Sequence, residues 1–208
     1  MESQGYQSEN AAGKIRAPSQ GFVVWLTGLP GSGKTTIARN LHPKLTSAGL
    51  KVELFDGDEV RKQLSPDLGF TKKDRELHAK RVVYLCKLLA RNGIVSIVSL
   101  ISPYREFREF ARQEIGNDKF IEVYVKTSLD ECIKRDPKGL YKKALKGEIT
   151  DLTGLQDVYE EPLKPELVIE TEKEEVDASS GHILQLIHSR GYAELPKQAL
   201  TQNKNISS

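Results

Sequence analysis

Cysteine is scarce in this sequence: two in 208 residues, Cys86 and Cys132, at no metal-ligand spacing. That excludes a disulfide-stapled scaffold and a cysteine-based zinc site. Long apolar runs are missing too. No stretch approaches the ~20 residues a membrane-spanning helix needs, and the first twenty residues lack the apolar centre of a secretory signal. Neither sign of charge is in excess, with 31 Lys+Arg against 29 Asp+Glu and a formal charge of +2. Such a balance removes any general electrostatic case for nucleic acid or a membrane surface as partner, while leaving room for a local basic site. The expected compartment is the cytoplasm. What is present is 38% hydrophobic and 29% charged residues, enough in a chain of this length to close a core without staples.

Residues 1–20 are polar and aperiodic and read as a disordered leader; 196–208 read as a flexible tail. Between them, 21–195 alternate in a strand–helix rhythm. The apolar run 22–26 predicts a strand buried on both faces. Helix follows at 34–47, strand at 51–55, helices at 59–64 and 72–91 with Asn92-Gly93 as the stop, and a central strand at 94–101. Ser102-Pro103 reads as the N-cap and first turn of a helix to about 114. Strand 120–125, helix 129–135, strand 167–169 and helix 176–190 complete the pattern, leaving 136–165 charged, lysine-rich and irregular. The fold class is α/β, a parallel five-stranded sheet flanked by helices, with 136–165 as a lid segment. Cys86, Cys132, Trp25 and Tyr84 read as packing residues.

Gly28-Leu29-Pro30-Gly31-Ser32-Gly33-Lys34-Thr35 fits G-x-x-x-x-G-K-[ST] at every fixed position, between a buried strand and a helix start. The glycines let backbone N–H groups wrap phosphate oxygens, and the helix N-terminus adds its positive dipole end. Lys34 is placed to bridge β- and γ-phosphates and the Thr35 hydroxyl to ligate Mg²⁺. This is a loop for binding a nucleotide's phosphates.

A phosphoryl-transfer site also needs carboxylates for the metal shell and for the attacking hydroxyl's proton. The strand 94–101 offers none at its end. Asp56-Gly57-Asp58 does, at the end of the neighbouring strand, where an open parallel sheet places its crevice. Asp58 is the expected base and Asp56 the metal-side partner. The absence of an N-K-x-D element argues against a GTPase, and Arg135, Lys138, Lys142 and Lys143 on the lid suit charge neutralisation during transfer. A P-loop kinase results.

The set Gly28–Thr35, Asp56-Gly57-Asp58-x-x-Arg61, Leu68-Gly69-Phe70, Asp74-Arg75, Ile101-Ser102-Pro103-Tyr104-Arg105, Arg135-Asp136-Pro137-Lys138-Gly139-Leu140-Tyr141 and Thr153-Gly154 resembles adenylyl-sulfate kinases, in order from about residue 21 to 192. The resemblance implies ATP + adenylyl sulfate → ADP + 3′-phosphoadenylyl sulfate, in sulfate assimilation, with Mg²⁺ and a homodimer. It implies acceptor contacts at Asp58, Arg61, Phe70, Arg75, Ile101, Ser102 and Lys138. Arg61 and Arg75 are forks suited to phosphate and sulfate oxygens, and Phe70 offers a face for a base. The family describes Ser102 as a phosphoserine intermediate, so it counts as catalytic beside Asp58 and Lys34; the residues themselves favour direct in-line transfer, because no base adjoins this serine in sequence.

The acceptor pocket departs from the family pattern. Glu59 and His78 stand where the family has Asn, Leu100 where it has Phe, and Asp151-Leu152 where it has Gly-Phe before Thr-Gly. His78 retains a hydrogen-bonding function, and Leu152 can cover one base face without the ~0.5–1.5 kcal/mol of an aromatic pair. Two alternatives stand beside the main reading: a related kinase of another nucleotide conjugate, such as cytidine diphosphoramidate, and a nucleotide-binding module without turnover.

Overall fold

Strand β1 (Val23–Thr27) is buried along its whole length, as an apolar run without polar alternation must be. In the computed structural model, which describes residues 21–195, it is the middle of a five-stranded sheet in the order β2-β3-β1-β4-β5, every pair parallel. The other strands are β2 (Val52–Asp56), β3 (Val95–Ser99), β4 (Phe120–Lys126) and β5 (Leu167–Glu170). The helices are α1 (Lys34–Ser47), α2 (Gly57–Leu64), α3 (Lys72–Arg91), α4 (Arg105–Ile115), α5 (Leu129–Arg135), α6 (Leu140–Leu145) and α7 (Val176–Ser189). The expected leader 1–20 and tail 196–208 lie outside the described residues.

Alternate residues of β1 feed two cores, because side chains in a strand point to opposite faces. Val24 and Leu26 pack with Ile37, Leu41, Ile183 and Leu184 of α1 and α7 on one face. Val23 and Trp25 pack with Val82, Val83, Ala111 and Phe120 on the other, beneath α3 and α4. A smaller cluster of Cys132, Tyr141, Ala144 and Leu152 forms the interior of the lid. Both cysteines are free and buried, and burial pushes the Cys86 thiol up to about 12.

Four local expectations are corrected. The centre of the sheet is β1, with β3 one place off it. Ser102 does not cap a helix: α4 begins at Arg105 after Tyr104, and Ser102 has φ 45. Its hydroxyl accepts from the Trp25 indole at 3.1 Å and its carbonyl from Arg108, so tertiary partners override the capping signal. The lid contains a short helix, α6, that the lysine-rich sequence obscured. Tyr84 is 63% exposed, on the outer face of α3, instead of packing in the core.

Register brings the functional tips together. Asp56 pairs with Ser99, and Ser99 pairs with Leu26. The carboxyl ends of β2, β3 and β1 therefore align at one edge of the sheet, where the phosphate loop leaves β1.

Candidate active site

The loop from Gly28 to Lys34 turns back over the end of the sheet. At Gly28, with φ 152, an added Cβ would lie 2.4 Å from the Val125 carbonyl oxygen, so only glycine lets the chain pass β4 there. The backbone is braced from behind. Tyr141 donates to the Pro30 carbonyl at 3.0 Å. Thr171, just beyond β5, donates to the Ser32 carbonyl at 3.0 Å and accepts from Arg135 at 2.9 Å. Lys34 Nζ donates to the Gly28 and Leu29 carbonyls at 2.9 and 2.7 Å and to Ser32 Oγ at 3.3 Å. Buried there among neutral oxygens, the ammonium loses hydration without a counter-ion beside it, and burial pushes its pKa down to about 7.

A cavity of about 1040 Å³ opens over this loop. Pro30, Gly31, Gly33, Lys34 and Thr35 line it, whereas Gly28, Leu29 and Ser32 form the back of the loop. From the acceptor side Asp56, Asp58, Arg61, Phe70, Arg75, His78, Ile101, Ser102 and Lys138 line the same cavity. Thus the structure brings together nearly every residue singled out from sequence. Among the residues expected to touch the acceptor, Leu152 is the exception: it is buried in the lid's own cluster and does not reach the cavity wall, and Glu59 and Asp151 are likewise not among the residues lining it. Lys142 and Lys143 are exposed on the outside of the lid, and Arg135 spends its fork on the carbonyl and hydroxyl of Thr171.

Asp56 and Asp58 sit at the β2–α2 junction in different roles. Asp56 caps α2, accepting from the Asp58 N–H at 3.2 Å, and its carboxylate lies 3.5 Å from Arg39. Through the β2–β3 register it stands beside Ser99, whose hydroxyl is 3.2 Å from that of Thr35. The Thr35 hydroxyl and the Asp56 carboxylate line the cavity at this corner, and both are hard oxygen donors of the kind a divalent cation takes. Asp58 is exposed and forms an ion pair with Lys138, across the cavity mouth from α2 to the lid.

Phe70 is 60% exposed, held with the Arg61 guanidinium 4.8 Å from its ring centroid and that of Arg75 at 5.9 Å. Burial, and then the charge of Arg75, lower the pKa of Arg61, while Asp74 and Asp58 act against them. Arg75 also ties the site together, donating to Phe70 O at 2.7 Å, Thr153 Oγ1 at 3.0 Å and Asp151 O at 2.6 Å. Part of the fork expected for the acceptor thus anchors the lid to α3.

His78 is 4% exposed. Its Nδ1 meets Ser65 Oγ at 3.0 Å and its Nε2 has no protein partner. Burial first, then Arg61 and Arg81, push its pKa down to about 4, so the ring is neutral near pH 7. Sequence reasoning missed Ser65 and Thr171, which line the cavity, and Arg108, which donates to the Ser102 carbonyl. The spacing of Arg105, Arg108 and Arg112 along a charged helix carries no sign that Arg108 is buried.

The family profile described as Adenylylsulphate kinase matches residues 20–170. A curated relative from Pyrococcus abyssi, a probable adenylyl-sulfate kinase, is 51% identical over 173 residues, covering 83% of this chain and 98% of its own. A probable adenylyl-sulfate kinase from Archaeoglobus fulgidus is 55% identical over 152 residues, covering 73% and 97%. Among solved structures, the Mycobacterium tuberculosis APS kinase in complex with AMPPNP and APS superposes with a TM-score of 0.79 at 38% identity, covering 82% of this chain and 99% of that one.

Proposed function

The chain belongs to the adenylylsulphate kinase family, and from that we propose that it transfers the γ-phosphoryl group of ATP to the ribose 3′-hydroxyl of adenylyl sulfate. The observation that carries the reading is one continuous cavity, lined on one side by the Gly31–Thr35 end of the phosphate loop and on the other by Asp58, Arg61, Phe70 and Lys138. Donor and acceptor can therefore meet in line without either leaving its cradle.

Lys34 exchanges its carbonyl partners for phosphate oxygens. Asp58 accepts the proton of the attacking hydroxyl, and Lys138, its partner in the ion pair, stays to neutralise charge on the transferred group. Arg61 and Phe70 hold the acceptor's anionic and base portions, and His78 Nε2 supplies a hydrogen bond to it. Transfer is direct. Among the described residues the Ser102 hydroxyl is hydrogen-bonded to the Trp25 indole, with no carboxylate or imidazole beside it to activate it as a nucleophile. Thr35 and Asp56 are the residues that would hold Mg²⁺, which would supply positive charge to draw electron density from the donor phosphates.

The catalytic domain spans 21–195 with 136–165 as its lid, and the protein acts as a cytoplasmic homodimer in sulfate assimilation. The test is ADP release by purified protein with Mg·ATP and either adenylyl sulfate or cytidine diphosphoramidate. Turnover with adenylyl sulfate is expected. Turnover only with the cytidine conjugate overturns the acceptor assignment, and no turnover with either overturns the enzyme reading. Sedimentation at micromolar concentration tests the dimer.

A further inference from the structure

Ser102 carries a cost that its own sequence does not explain. It is a non-glycine residue at φ 45, a strained backbone conformation that persists only where the surroundings over-determine it. Three groups do so. The Trp25 indole N–H donates to Ser102 Oγ at 3.1 Å, the Thr27 hydroxyl donates to the preceding carbonyl of Ile101 at 2.7 Å, and Arg108 Nη1 donates to the Ser102 carbonyl. With its oxygen accepting from tryptophan, the Ser102 hydroxyl hydrogen is free to point to the cavity that Ser102 lines.

Arg108 is the member that reaches farthest. It is 2% exposed, and each nitrogen of its fork serves a different element. Nε meets Glu122 of β4 at 2.7 Å, Nη1 the Ser102 carbonyl, and Nη2 the Glu160 carbonyl at 2.6 Å. Glu160 lies in the last part of the lid segment 136–165, the arm by which it returns to the sheet. That arm is fastened to the same corner by further bonds: Glu160 N–H to Pro103 O at 2.8 Å, Arg105 N–H to the Glu160 carboxylate at 2.8 Å, and Tyr104 OH to Asp157 at 2.9 Å. The buried charge is compensated locally. Glu122 balances Arg108, while Arg112 meets Glu166 through both nitrogens at 2.8 Å. A lysine could keep the charge but not the three directions.

We infer that Arg108 is a positioning residue for phosphoryl transfer: through one planar fork it fixes the geometry of Ser102 and locks the lid's return arm to the acceptor side of the cavity. It touches neither nucleotide itself. It keeps Ser102, and with it the acceptor's reacting hydroxyl, in line with the phosphate loop. The inference rests on the kinase reading only for its kinetic consequence; the geometric part can be read without turnover.

Trp25 is the only tryptophan in the sequence, so its indole N–H gives one resonance that reports the bond to Ser102 directly. The experiment compares the full chain with Arg108→Lys and with Arg108→Met/Glu122→Leu, the latter removing both buried charges so that neither is left unpaired. Lys87→Ala, which breaks a surface pair between α3 and α4, is the control. Both Arg108 variants are expected to shift the indole resonance and to speed its exchange with solvent about tenfold or more, while the control leaves it in place. Both are also expected to lower kcat/KM for adenylyl sulfate about 10- to 100-fold, as a misplaced reacting group does, with the KM for ATP changed less than about twofold. An indole resonance unmoved in the double variant overturns the inference, as do losses equal on the ATP and acceptor sides. Should wild-type protein not turn over adenylyl sulfate, the function proposed above fails and the indole measurement still decides the role of Arg108.

Discussion

Nucleotide binding is expected to be coupled to proton uptake at Lys34. Its ammonium is buried against neutral oxygens, which lowers its pKa from 10.5 to about 7. Between these values the unfolded chain holds the proton and the folded one does not, so stability rises with pH across about 7 to 10.5 and the cost is fully present below about 7. At ~1.4 kcal/mol per unit that cost is of order 5 kcal/mol. A triphosphate in the cradle reverses the balance, because anionic oxygens favour the charged lysine. At pH 8 a group of pKa about 7 is roughly one-tenth protonated, so binding Mg·ATP should take up about 0.9 proton, against about 0.1 at pH 6. Titration calorimetry at pH 8 without acceptor, in Tris and in HEPES, reads the number from the dependence of observed heat on buffer ionisation heat. Lys34→Met is the reference, expected to bind ATP poorly, to take up no proton, and to resist urea better than wild type at pH 6. Uptake below about 0.2 proton by the wild type at pH 8, or equal uptake in the variant, refutes the reasoning.

Three further outcomes are expected. Gly154 has φ 91 and an added Cβ would lie 2.5 Å from Leu29 Cδ2, so Gly154→Ala should lower the urea midpoint by the equivalent of about 1–3 kcal/mol, partly restored by Leu29→Ala. Phe70→Ala removes an exposed ring that lies against two guanidiniums; if it carries the acceptor's base as proposed, KM for adenylyl sulfate should rise about 3- to 10-fold with kcat nearly kept. Asp58→Asn should lower kcat about 10²- to 10⁴-fold at unchanged thermal stability, since Asp58 is exposed and its ion pair with Lys138 lies at the surface; full turnover in a steady-state assay would remove Asp58 as base.

The sequence made most of this site legible because its signals are local. A buried strand, a glycine-rich turn and a lysine at the helix start are contiguous, and Asp56 and Asp58 follow directly on a strand end, so strand alternation alone put them at one edge of the sheet. Local signals failed where distant partners decide conformation. Ser-Pro looked like a helix start, but Ser102 is held out of the helix by Trp25, from β1, and by Arg108, from the first turn of α4 itself. Leu152 was expected over a base because its neighbours in sequence mark the acceptor pocket, yet apolar partners in Cys132, Tyr141 and Ala144 draw it into the lid. His78 was singled out, while its orienting Ser65, thirteen residues away, left no pattern to read.

Thr171 shows how dispersed the phosphate cradle is in the polypeptide. Its hydroxyl supports Ser32 while Arg135 and Thr127 bond to it, so residues separated by more than a hundred positions hold one short turn. A chimaera or split version of this protein that exchanged 136–171 as a cassette would carry away part of the wall behind the triphosphate along with the acceptor's cover. Junctions in the turns at Asn92-Gly93 or Gly116-Asn117, remote from that wall, are the places where fragments should recombine with donor binding intact.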